Sequence, residues 1–366
     1  MTRESGFLPR ADFQQLLDVL RAGGYRCVGP RVRDGAILFD DVAEADDLPV
    51  GYRDRQAPGE YRLAQHADQR LFDWAVGPQA LKPRLFPPRE VRWEVDYGER
   101  GASEFRPVQA DIEATAVIGV RACDLAALEL LDRHFLEGTT DGAYRRRRDA
   151  LLLVAVNCTH PAATCFCAST GDGPAATRGY DVVLDELDAG FIAGAATTAG
   201  ASVLASLALQ PVSASQRAAA VAATEAARAA QTRSLPSRNL RDKLFARLDH
   251  PRWADVGARC LACGNCTSVC PTCFCFSAED DADADGTRSR HLHQWDSCFT
   301  SGHSYLHGFI IRSDTRLRYR QWLTHKLGGW HDQYGRSGCV GCGRCISWCP
   351  VGIDITAEAE AICGGA

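Results

Sequence analysis

Two short unbroken apolar runs, TAVIGV at residues 115–120 and LLLVAV at residues 151–156, set the frame of the chain. Runs of this length without alternation predict strands covered on both faces, as in a parallel sheet. Between them the spacing turns helical over LAALELLDRHFLEG, with Asp124 placed to cap the start and Gly138 just past the end. Residues 180–184 predict a further strand, and strand, helix, strand in this order predicts an α/β domain with a parallel sheet. Upstream, residues 11–22 read as a helix and residues 36–39 as a strand, before a Pro- and Arg-rich stretch over residues 51–91. Residues 213–231 are Ala-rich and helical by propensity, and TRSLPSRN after them reads as a linker. The expected fold is therefore α+β. An N-terminal α/β domain covers residues 1–235, and a mainly helical domain covers residues 236–366, with an acidic-to-basic loop at 279–290 and a basic helical stretch at 312–326.

The second of these domains carries the chemistry. Cys260-x2-Cys263-x2-Cys266-x3-Cys270-Pro271 recurs as Cys339-x2-Cys342-x2-Cys345-x3-Cys349-Pro350. In such runs three closely spaced thiolates bind one cubane, while the fourth, set before proline, ligates the other cluster. The spacing thus predicts two 4Fe-4S clusters in a ferredoxin-like module, one on Cys260, Cys263, Cys266 and Cys349, the other on Cys339, Cys342, Cys345 and Cys270. Tetrahedral zinc, the competing reading, usually draws on two separated CxxC pairs instead of four cysteines in one run. Two clusters in one chain serve to pass single electrons from a donor to an acceptor.

Composition narrows the setting. With 366 residues the chain is too long for a simple ferredoxin. A net charge of -5 and a pI near 6.1 provide no basic field for nucleic acid. Seventeen cysteines would suit a disulfide-rich secreted protein, but the first residues form no apolar signal core, and no long apolar stretch occurs. The expectation is a reducing, cytoplasmic location, no lipid anchor, and no direct membrane contact.

Further cysteines form a second tier. Cys123 and Cys158 each follow an apolar strand, so a parallel sheet would deliver both to its carboxyl edge, where α/β domains place ligands. Cys165 and Cys167 lie on the loop continuing from Cys158, which gives a possible third 4Fe-4S cluster on Cys123, Cys158, Cys165 and Cys167. The bland alternative is a set of buried small hydrophobes. Cys273, Cys275 and Cys298 crowd the first run and are expected to tune it through packing and hydrogen bonds without ligating. Cys27 and Cys363 stand alone as ordinary free thiols. Gly171-Asp172-Gly173-Pro174-Ala175-Ala176 has the G-x-G-x-x-A form but follows no strand and holds a proline, so it does not read as a dinucleotide loop. Arg145–Arg148 reads as a solvated face. Arg312, Arg316, Arg318, Arg320 and Lys326 read either as such a face or as positive potential beside the clusters. His303, His307 and His325 lack partners at metal spacing.

The segments GPQALKPRLFPPRE (77–90), GVRACDLAALELLDRHF (119–135), NCTHPAATCFCAS (157–169), CLACGNCTSVCPTCFCF (260–276), QWDSC (294–298), RLRYRQWLTHKL (316–327) and GCVGCGRCISWCP (338–350) resemble the beta subunits of cytoplasmic nickel-iron hydrogenases of the sulfhydrogenase type, and their relatives in anaerobic sulfite reductases. The resemblance covers most of the chain. It implies a non-catalytic subunit that carries electrons between a flavin-binding diaphorase partner handling NAD(P)H and a catalytic hydrogenase core. Many members have Gly-Gly-His-Asn after the WDSC motif, where this chain has Ser301-Gly302-His303-Ser304-Tyr305. The competing functions are a component of a sulfite reductase-type complex and an iron-sulfur redox sensor. A sensor would need an effector module, and no helix-turn-helix is visible.

Overall fold

The structure is a computed structural model that describes residues 5–98, 103–109 and 111–364. Its frame is a seven-stranded sheet in the spatial order Ser5–Pro9, Gly190–Ala195, Val182–Leu187, Leu151–Val156, Thr115–Val120, Arg26–Arg33, Ala36–Asp41. The four strands from Val182–Leu187 to Arg26–Arg33 run parallel, and the outer pairings are antiparallel. Successive side chains along a strand point to opposite faces. Accordingly Ala116, Ile118, Leu152, Val154 and Val156 join a core with Leu16, Leu17 and Leu20 of the helix Gln14–Ala22. Val117, Val120, Leu153 and Ala155 instead pack under Leu125, Leu128 and Leu131 of the helix Ala122–Leu136. Burial on both faces is why these strands read as unbroken apolar runs.

The C-terminal part surrounds its cysteine runs with a second core, in which Trp253 and Val256 of Arg252–Arg259 meet Tyr319, Trp322 and Leu323 of Thr315–Thr324, and Ile355, Ala359 and Ile362 of Ile355–Cys363. The helix Thr315–Thr324 continues into a π-helical turn, His325–Gly329. Residues 279–290, expected as a loop, lie in a β-hairpin, Phe276–Ala282 paired with Arg288–Trp295. The hairpin carries few apolar residues, and its order comes from pairing with Arg89–Tyr97, which in turn pairs with Ser103–Pro107. One sheet therefore takes strands from both sides of residue 235. No helix among the described residues is long and apolar enough to cross a membrane.

Asp124 does not cap its helix. Arg121 occupies the cap in extended geometry without a side-chain hydrogen bond, and Asp124 turns inward from the first turn to an ion pair with Arg344, 2.8 Å away. Both side chains are almost wholly buried, so the pair ties the α/β helix to the second cysteine run. Gly138 follows the helix with φ +76°, as a residue just past a helix end often does.

Candidate iron-sulfur sites

The two cysteine runs fold alike. In each, a residue with positive φ follows the first cysteine by two positions, Ala262 (φ 52°) and Gly341 (φ 65°). A left-handed glycine, Gly264 or Gly343, then opens a four-residue helix that carries the third cysteine, Asn265–Ser268 or Arg344–Ser347. The turn lets the amides of Ala262 and Gly341 donate to the sulfurs of Cys260 and Cys339, both at 3.4 Å. Ile353 N–H donates to Cys349 Sγ at 3.3 Å. Such N–H···S bonds favour negative charge on sulfur and raise a bound cluster's potential.

Cysteines of the two runs mix in space. Cys260, Cys263, Cys266 and Cys349 line one pocket, which Cys345 also reaches and which Phe299, Tyr319 and Trp322 wall. The charges felt most at Cys266 are those of Cys260, Cys349 and Cys263, then Cys270, and at Cys345 those of Cys339, Cys342 and Cys270, then Cys266. Burial pushes the Cys339 thiol up to about 12 and lifts Cys266 and Cys345 well above the ordinary range. Such thiols keep their protons at neutral pH until a metal displaces them.

A separate pocket at the sheet's carboxyl edge brings together Cys123, Cys158, Cys165 and Cys167, with Cys342 of the second run on the same wall. The strands Thr115–Val120 and Leu151–Val156 end just before Cys123 and Cys158, and Phe166, wholly buried, pins the loop so that Cys165 and Cys167 both reach the pocket. Arg121 lies here, buried over the Trp74 ring at 4.3 Å and donating to the carbonyls of Phe72 (2.6 Å) and Trp74 (2.8 Å). Among the described residues no carboxylate pairs with it, although its charge acts on Cys158. A buried cation without a counter-ion is costly, so the pocket is prepared for negative charge. The second cysteine run packs directly on this loop. A Cβ on Gly341 would come within 2.6 Å of the Cys167 backbone, and one on Gly343 within 2.5 Å of the Thr164 carbonyl.

Cys273, Cys275 and Cys298 gather beside Cys270. Cys270 and Cys273 act on each other's protons, as do Cys275 and Cys298, with His303 acting on Cys275. Cys298 donating to Cys275 holds Cys275 well below the usual thiol range and pushes Cys298 up. Two buried lysines stand here: Lys326, which the sequence offers as positive potential beside the clusters, and Lys82, which sequence reasoning missed. Lys326 is 4% exposed and donates to Thr272 Oγ1 at 2.9 Å, and Lys82 is 3% exposed and donates to the Ser268 carbonyl at 2.8 Å. Both face Cys270 and Cys273, and neither pairs with a carboxylate among the described residues. The π-helical turn is the local device that turns Lys326 inward. A signal was present in the sequence: Thr-Cys-Phe-Cys occurs twice, at 164–167 and 272–275, marking two comparable thiol loops.

The remaining candidates resolve simply. Arg318 and Arg320 donate to the carbonyls of Phe299 (3.0 Å) and Leu248 (2.7 Å), while Arg147 and Arg148 pair with Glu90 and Asp132. Gly171 ends a short helix, and Gly173 lies so close to Cys167 Sγ that a Cβ would meet it at 2.7 Å. Cys27 and Cys363 are buried in the two cores.

All seventeen cysteines are free thiols, and among the described residues no three side chains of His, Cys, Asp or Glu close on a single metal ion. Paired runs of this spacing, with amide-bonded sulfurs and buried cations beside the thiols, fit iron-sulfur clusters and define an iron-sulfur electron-transfer protein. Residues 259–353 match the 4Fe-4S dicluster domain family. The chain is also 30% identical over 348 residues to the sulfhydrogenase 2 subunit beta of Pyrococcus furiosus, with 93% of each chain covered. It belongs to this family of sulfhydrogenase beta subunits. No solved structure matches it.

Proposed function

We propose that this protein relays single electrons within a cytoplasmic hydrogenase-type complex, between a flavin-binding diaphorase partner that handles NAD(P)H and a nickel-iron catalytic core. The observation that carries the reading is the continuity of the thiol pockets. The pocket of Cys123, Cys158, Cys165 and Cys167 shares Cys342 with the second run, and Cys345 of that run reaches the pocket of the first. That last pocket is rimmed by the exposed Leu261, Val351 and Cys263. In this reading Cys260, Cys263, Cys266 and Cys349 hold one 4Fe-4S cluster, and Cys339, Cys342, Cys345 and Cys270 hold a second. A third sits on Cys123, Cys158, Cys165 and Cys167, where a relay between two parts of the fold needs an intermediate carrier.

Within that relay the protein holds charge and excludes water. Arg121, Lys82 and Lys326 offset the negative charge that reduction adds, and the amides of Ala262 and Gly341 stabilise it at sulfur. The chain itself binds neither flavin nor nicotinamide, so partners supply both. Anaerobic co-purification tests the reading. It should recover a flavoprotein and a hydrogenase core, and the isolated chain should bind neither NADPH nor FAD. Stoichiometric flavin in the isolated chain would contradict it.

A further inference from the structure

The thiols beside Cys270 amount to more than a lining. Cys273 and Cys275 flank Phe274, which stacks on His134 at 3.5 Å and packs against Trp330. Cys298 arrives from the loop after the hairpin against Cys275, with Cys273 near enough to feel its charge. That loop is tightly fixed. Asp296 N–H donates to the Cys275 carbonyl at 3.0 Å, and Asp296 Oδ1 accepts from Ser297 N–H (2.7 Å) and Thr300 Oγ1 (2.6 Å). The other oxygen of Asp296 holds His303 Nδ1 at 3.0 Å, and the His303 ring also reaches Cys275. An imidazole whose Nδ1–H goes to a carboxylate presents Nε2 as a ligand, the arrangement typical of metal-binding histidines. Lys326 stands between this group and the second run, close to Cys273, Cys270 and Cys339. Buried without a carboxylate, it suits a place between two negatively charged clusters.

We propose that Cys273, Cys275, Cys298 and His303 hold an iron-sulfur cluster of their own, with His303 Nε2 as the fourth ligand. The assignment rests on the reading that Cys270 belongs to the cluster of the second run, which leaves three thiols and one imidazole here. Assembly releases the remaining thiol protons as the sulfurs bind iron, and electron exchange with the neighbouring cluster then proceeds singly, with no bond made or broken. Imidazole in place of thiolate removes one negative charge and raises the potential, so this site serves as the higher-potential branch beside the second run.

The test uses the full-length chain, purified or reconstituted anaerobically, with iron and acid-labile sulfide counted per polypeptide and pulsed EPR recorded on the reduced protein. The Cys273→Ser/Cys298→Ser double variant should carry about four fewer irons than wild type. Wild type should show a strong nitrogen coupling of directly bound imidazole. His303→Cys should keep the iron, lose that coupling and lower the potential of one cluster. Unchanged iron in the double variant, or a wild type without the nitrogen coupling, would overturn the proposal. If the double variant fails to fold, His303→Cys decides alone, and an unaltered spectrum rejects the site. Cys158→Ala reads the sheet-edge site separately, and Cys270→Ala reads the second run. Loss of the nitrogen-coupled cluster in the Cys270→Ala chain would place Cys270 among its ligands and overturn the assignment of the thiols.

Discussion

The two cysteine runs have the same spacing and the same backbone, yet one faces outward and the other inward. In the first, Leu261 is 63% exposed, Cys263 is exposed, and the residue before Cys266 is the exposed Asn265. In the second, the residue before Cys345 is Arg344, 1% exposed, held by Asp124 and by the Gly77 carbonyl at 2.8 Å. The hairpin of Tyr52–Ala57 and Glu60–Gln65 closes over its end, with Gly59 N–H donating to the Ile346 carbonyl at 3.1 Å and Tyr61 stacked on Trp348. Cysteine spacing sets the ligand geometry; the residues between the cysteines set where the site sits. On the proposed relay, the first run serves as the outlet and the second as the junction with the sheet-edge thiols.

The sharpest contrast is at the matched positions Arg344 and Asn265. Arg344→Met should destabilise the chain by about 3–5 kcal/mol, because it leaves Asp124 buried and unpaired. Asn265→Ala should cost under about 0.5 kcal/mol. Chemical denaturation of both variants checks this, and similar losses would erase the distinction. Next comes the positive-φ pair. Gly341→Ala meets the Cys167 backbone at 2.6 Å as well as left-handed strain, and should cost about 2 kcal/mol or more. Ala262→Gly relieves the left-handed strain of φ 52° and should be neutral to stabilising by up to about 1 kcal/mol.

Iron removal sharpens the comparison in time. A chelator should strip iron in two phases, the fast one belonging to the first run, and Cys263→Ala should abolish only that phase. The smallest effect is expected at the rim. Leu261→Ser with Val351→Ser should leave stability within about 0.5 kcal/mol while weakening capture of the partner proteins in a pull-down. Undiminished capture would remove the outlet from this face.

What could be read from the sequence follows the range of the forces involved. A cubane takes its first three ligands from a local run, so the cysteine pattern is legible without the fold. Strands buried on both faces announce themselves as unbroken apolar stretches, and because such strands end at one sheet edge, the meeting of Cys123 with Cys158 could be anticipated. The burial of Lys82 and Lys326 could not, although one reading of Lys326 already places its charge beside the clusters. Each sits in a segment rich in basic residues that reads as solvated, and only packing with Trp295 and Trp330 buries it. The hairpin Phe276–Ala282 with Arg288–Trp295 was hidden for a related reason, since its order is supplied by Arg89–Tyr97, almost two hundred residues earlier in the chain. Asp124 followed the helix-start rule in position, but a buried arginine from the other end of the chain claimed its side chain.

The central claim, an outward cluster completed by a cysteine from the inward run, is tested most directly by EPR relaxation in the presence of an aqueous paramagnetic chelate. Reduced wild type should show one cluster signal strongly relaxed by the chelate, from the run around exposed Cys263, and others little affected. Cys349→Ala should remove the relaxed signal and leave the sheltered signal of the second run in place. If the relaxed signal survives while the sheltered one disappears, Cys349 serves its own run and the account is wrong.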